Sequence, residues 1–136
     1  MIEIPRIIHI FAIKLNMENS SKKIIVQKFL RKIEDNYAMA EKYYSVLSTV
    51  NGLKLTQREI QLVAFTAIRG NISYSSIRED FCKKYNSTSP TINNIISKLK
   101  RIGVFVKDGS KIKVNPVIIL NFSNDITLEI KMEHNE

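Results

Sequence analysis

The chain has 136 residues, 44% of them hydrophobic and 25% charged, and carries a net charge of +8. That length fits one folded domain with a real core, and that balance excludes disorder over most of the chain. The single cysteine, Cys82, excludes an internal disulfide, and no apolar run approaches the roughly 20 residues of a membrane helix.

The opening "MIEIPRIIHIFAIKL" carries Glu3, Pro5, Arg6 and Lys14 and makes a poor signal peptide, so the expected location is the cytoplasm. Residues 2–15 are rich in isoleucine and partly alternate, which predicts a strand. "NMENSS" then supplies a helix cap at Ser20 or Ser21, and a long helix is expected to about residue 49. Its stripe is Val26, Leu30, Ile33, Tyr37, Ala40, Tyr44 and Leu47, in alternating steps of four and three. That is the seam of a heptad, suited either to packing on its own domain or to a dimer interface.

Asn51-Gly52 stops that helix, and Thr56 opens the next with Glu59 three residues on, a capping box. Ile60, Val63, Ala64 and Ala67 give this second helix a buried face, and Gly70 ends it. A short connector follows, with one strand-like pairing expected at Ile72. Ser75 and Ser76 are the expected caps of a third helix, in which Ile77, Phe81 and Tyr85 share a face. Lys83 and Lys84 suit the negative end of that helix. Ser89 is the expected N-cap of a fourth helix with Pro90 at its first position, and Gly103 stops it. "VFVKDGSKIKVNP" reads as two strands joined at Asp108-Gly109, bounded by Pro116. "VIILNF" and "DITLEIKM" are strand-like, the latter alternating Ile126, Leu128, Ile130 and Met132. The expected fold class is therefore α+β, with an N-terminal strand and long helix (1–50), a central unit (51–116), and C-terminal strands with a tail (117–136).

The excess charge lies in the middle. Residues 52–116 hold twelve Lys and Arg against four acids (Glu59, Glu79, Asp80 and Asp108), whereas the rest holds nine of each. A polyanion is the natural partner of such a segment, nucleic acid before an anionic membrane. The fourth helix points the same way. It buries Ile92, Ile95, Ile96 and Leu99, and the opposite side carries Asn94, Ser97 and Arg101 flanked by Thr91, Asn93 and Lys98, without an acid. Asparagine can pair with an adenine edge and arginine or lysine with guanine, while hydroxyls and helix-start amides bond phosphate.

Three short helices with a tight turn before the last, then "SKLKRIGVFVKDGSKIKV" as helix end and hairpin, resemble the winged helix-turn-helix superfamily. "LKLTQREIQLVAF" followed by "GNISYSSIREDF" looks like the first two helices of MarR-type regulators, although their acidic–arginine wing signature is absent from "KDGSK". "KVNPVI" is similar to a segment of some plasmid replication initiators of the same fold. The resemblance covers roughly residues 52–116. It implies a recognition helix at 90–101 and a wing at 104–114. The residues expected to meet double-stranded DNA are Ser89, Thr91, Asn93, Asn94, Ser97, Lys98, Arg101, Lys107, Lys111 and Lys113. Neutralising about five phosphates would give a slope of log affinity against log salt near −4.5.

No metal-ligand spacing, phosphate-cradling glycine loop or nucleophile with a base occurs, and His9, His134 and Cys82 make no site. The expectation is a non-enzyme without cofactor: a sequence-specific duplex binder in transcription or replication, acting as a homodimer or larger assembly. The alternative is a phage structural or packaging protein that reuses the scaffold for protein contacts, in the host cytoplasm or the virion. Bound-duplex selection and particle size distinguish the two.

Overall fold

A computed structural model describes residues 8–13 and 23–135 of the chain. The chain divides into two compact units after Ile33.

In the first unit, β1 (Ile8–Ile13) pairs antiparallel with β2 (Ile24–Phe29), running from Ile8 opposite Phe29 to Ile13 opposite Ile24. The expected strand at 2–15 is thus present at 8–13, and the rest of it lies outside the described residues. The expected cap at Ser20 or Ser21 lies outside the described residues. The long helix does not form as expected, because residues 24–29 are strand. Ile24, Ile25 and Val26 are consecutive β-branched residues, stiff at χ1 and better fitted to a pleated strand than to a helix.

The second unit begins with α1 (Asn36–Val50), capped by Asp35, whose side chain accepts the Ala38 N–H at 2.8 Å. The latter part of the heptad stripe survives here and faces inward. Ala40 and Tyr44 are buried, with Tyr37 and Leu47 packed against the same core. Next comes α2 (Gln57–Arg69), with the full capping box of Thr56 and Glu59 at its start and Gly70 at φ +95 closing it. In α3 (Ser75–Tyr85) the N-cap is Tyr74, without a side-chain cap bond, rather than Ser75 or Ser76. Both serines already lie inside the helix. The useful hydroxyl is that of Ser73, which accepts the Ile112 N–H at 2.6 Å while the Ile72 N–H donates to the Ile112 carbonyl at 2.9 Å. The pairing expected at Ile72 is therefore a two-bond bridge to the hairpin.

A three-residue turn, Asn86 to Thr88, leads into α4 (Ser89–Arg101). The N-cap is Thr88, not Ser89, and Pro90 is the second helical residue. Thr88 is extended (φ −125, ψ 157), and its hydroxyl accepts the Thr91 N–H at 3.4 Å. Proline's missing N–H is harmless at either early position, because the first four helical donors lack intrahelical partners anyway. The chain then forms β3 (Phe105–Asp108) and β4 (Lys111–Val114), joined through Gly109 and Ser110. Asp108 is the last ladder residue and not part of the loop. Gly109 at φ +62 takes the positive backbone angle that a two-residue hairpin loop requires.

Beyond β4 the expected strands are absent. Pro116–Ile118 forms a 3-10 turn, and residues 119–135 carry no regular structure. Phe122 docks instead, buried with its ring centroid 5.7 Å from Tyr43 and 5.6 Å from Tyr44. Tyr44 Oη donates to the Ile118 carbonyl at 2.8 Å, and Ile126 also rests against the core. Anchored to α1 in this way, the alternating residues past Ile126 have no backbone partner among the described residues, and a strand without a partner cannot satisfy its ladder. The architecture is α+β: among the described residues, four α-helices and two small two-stranded antiparallel sheets. The core of the second unit is Phe65, Phe81, Phe105, Leu62, Ile72, Ile92 and Leu99, all at 2% exposure or less. No described helix is long and apolar enough to cross a membrane.

Candidate nucleic-acid interface

What presents α4 is the turn before it. Asn86 adopts φ 52 and ψ 56, the left-handed conformation usually given to glycine, and the Ser87 N–H donates to the Cys82 carbonyl at 3.1 Å. Asparagine tolerates that conformation, so α3 ends abruptly and the chain turns straight into α4. From there Ile92, Ile95, Ile96 and Leu99 insert into the core, each at 8% exposure or less. Burial of that stripe forces Thr91, Asn93, Asn94, Ser97, Lys100 and Arg101 outward, and all six are exposed. Among the described residues, the side chains of Asn94, Ser97 and Arg101 make no hydrogen bond or ion pair. Ser89 is exposed at the helix start, and the Thr91 hydroxyl lies 3.0 Å from that of Thr88.

Two α4 residues expected to reach a ligand are held by neighbouring helices. Lys98 lies half-buried with Nζ 2.9 Å from both carboxylate oxygens of Glu59. Glu59 itself is 7% exposed, and its Oε1 accepts the Thr56 N–H at 2.8 Å. Burial raises the Glu59 pKa, but the bonds from Thr56 and Lys98 outweigh it and hold the carboxyl below its ordinary range. Asn93 is the second. Its Oδ1 accepts from Arg78 Nη1 at 2.8 Å, while Arg78 Nε donates to the Ile72 carbonyl at 2.8 Å. Nothing in the local sequence around Arg78 marks it for this position.

On the hairpin, the register places Lys111 and Lys113 on one face with Asp108, and Lys107 on the face shared with Phe105 and Val114. The three lysines therefore do not form one rank. Lys107 and Lys111 are exposed, whereas Lys113 Nζ sits 3.3 Å from Asp108 Oδ2 and is half-exposed. The hairpin base is pinned to the end of α4, since Asn115 donates its side-chain amide to the Gly103 carbonyl at 3.1 Å and its N–H to the Val104 carbonyl at 2.8 Å.

The twelve cations of residues 52–116 thus separate by role. Arg58 donates to the Tyr85 carbonyl, Arg69 pairs with Asp80 at 2.9 Å, and Lys84 lies 4.5 Å from the Tyr37 ring centre. Together with Arg78, Lys98 and Lys113 these serve the fold. Lys54, Lys83, Lys100, Arg101, Lys107 and Lys111 are exposed and make no such contact among the described residues. Four of the six belong to the end of α4 and to the hairpin. No cluster of three or more His, Cys, Asp or Glu suited to a metal occurs among the described residues.

No family model matches this chain, and neither a curated protein nor a solved structure matches it.

Proposed function

We propose that this chain binds duplex DNA with sequence preference, residues 52–116 acting as a winged helix-turn-helix unit. Helix α4 enters the major groove, and the β3–β4 hairpin follows the phosphates, in transcription regulation or replication initiation. One observation carries the reading: Asn94, Ser97 and Arg101 share an exposed helix face, their side chains without a partner among the described residues, opposite a stripe committed to the core. A solvated face needs no such set of amide, hydroxyl and guanidinium groups without carboxylates, whereas base edges and phosphates bond each of them.

Selection of bound duplexes from a random pool, repeated at two salt concentrations, tests this. A shared motif is expected. With Lys98 and Lys113 held by carboxylates, four exposed cations remain near the face (Lys100, Arg101, Lys107 and Lys111), so the slope of log affinity against log salt is expected near −3.6, shallower than five contacts would give. Equal binding to random and selected duplexes would remove the case for sequence reading.

A second reading, an assembly or packaging component, is favoured by the apolar side chains that the C-terminal segment leaves in solvent. Val117 is 86% exposed, Ile130 55% and Met132 94%. A sizing measurement separates the readings: a monomer or dimer suits a regulator, and a ring or large co-purifying complex suits assembly.

A further inference from the structure

Two asparagines stand side by side on the outer face of α4, and they are not chemically equivalent. Pairing with adenine in the bidentate manner needs both ends of the amide, the oxygen accepting from N6 and the nitrogen donating to N7. The Asn93 amide is already held at its oxygen. Arg78 Nη1 fills one of the two acceptor positions of its Oδ1 at 2.8 Å, and a guanidinium only donates, so the bond ties the oxygen to α3 and fixes which way the amide faces. Arg78 is itself held, half-buried, by its Nε bond to the Ile72 carbonyl, so the fork is in place before any ligand arrives. Asn94 keeps oxygen and nitrogen alike without a partner among the described residues, and it is exposed.

Resting on the duplex-binding reading above, we infer that Arg78 sets the base specificity of α4. By tying the Asn93 oxygen to α3 it turns that amide away from two-ended pairing, makes Asn94 the amide of this face that reads adenine, and leaves Asn93 to act through its nitrogen as a donor. Its acceptors are thymine O4, guanine O6 or N7, and phosphate oxygen. Arg78 is a positioning residue here, acting through Asn93 without touching DNA.

The test is duplex selection with the full chain, comparing wild type with Asn94→Ala, Asn93→Ala and Arg78→Ala. Asn94→Ala should lower the preference for the motif adenine by about 5- to 150-fold. Asn93→Ala should weaken binding through the lost donor yet still select that adenine. Arg78→Ala, which releases the Asn93 oxygen, should gain an adenine preference at the neighbouring position. A purely structural arginine would weaken all duplexes alike and change no base. The inference fails if Asn93→Ala and Asn94→Ala abolish the adenine preference equally, or if folded Arg78→Ala selects the wild-type motif unchanged. Should Arg78→Ala lose its helical circular dichroism, the comparison of the two asparagine variants decides alone. A wild-type protein that selects no motif overturns the duplex-reading proposal itself, a result distinct from either failure above.

Discussion

Lys98 in α4 and Glu59 in α2 are joined through both carboxylate oxygens at 2.9 Å, across 39 residues of sequence. Glu59 is at the same time the closing member of the α2 capping box. One carboxylate therefore starts one helix and holds another, and a cation that looks available in sequence is a structural one.

Removing Lys98 is expected to act on stability before it acts on ligand binding. Lys98→Ala leaves a carboxylate that is 7% exposed without its counter-charge, although one-third exposure of the lysine side chain screens part of the loss. A loss of about 1–3 kcal/mol is expected in urea denaturation. The salt slope of DNA binding should stay within error of wild type, in contrast to Lys100→Ala or Lys111→Ala.

Acid should weaken the protein through the same residue. The Glu59 carboxyl is held below its ordinary value of 4.5 in the folded state, so the unfolded chain takes up its proton first as pH falls. Its contribution is complete above about 4.5 and is lost as pH drops from there through the lower folded value. Glu59→Gln should be less stable at neutral pH and should lose less between pH 5 and pH 3, as denaturation midpoints measured across that range would reveal.

The exposed face makes a different set of demands. Asn94→Ala and Arg101→Ala should each cost about 1–3 kcal/mol on a selected duplex and little on random DNA. Lys111→Ala should weaken both alike and reduce the salt slope by about 0.9. Fluorescence anisotropy titrations on both duplexes at several salt concentrations measure these quantities. Loss on both duplexes in equal measure for all three variants would contradict the proposed division between base readers and phosphate contacts.

The C-terminal segment should prove part of the fold as far as Phe122. Phe122→Ala empties a site buried against Tyr43 and Tyr44 and is expected to cost about 3 kcal/mol. Tyr44→Phe removes the bond to the Ile118 carbonyl and should cost about 1 kcal/mol. Met132→Ala, at a position 94% exposed, should change the melting temperature little.

The amino-acid order alone determined those features whose causes lie within a few residues. The Thr56–Glu59 capping box, the stop at Gly70, the apolar stripe of α4 and the hairpin around Gly109 all satisfy local backbone donors or angles, so their signals are local and were legible. The α4 stripe also implied its converse, because burying Ile92, Ile95, Ile96 and Leu99 leaves Asn94, Ser97 and Arg101 nowhere to point but outward. Where periodicity misled, two structures suited one pattern. Val26, Leu30 and Ile33 fit a heptad, but the β-branched run from Ile24 to Val26 lies in a strand, and its partner is Ile8–Ile13. Ile126 to Met132 alternates like a strand, yet alternation supplies no partner edge, and the docking of Phe122 on α1 carries the segment elsewhere. Only tertiary structure decided which polar groups remain available. The Glu59–Lys98, Arg78–Asn93 and Asp108–Lys113 bonds depend on where helices and strands meet, and hydrogen bonds of about 3 Å cannot be inferred from spacing along a chain. The face was written locally, and its working members were chosen by the fold around it.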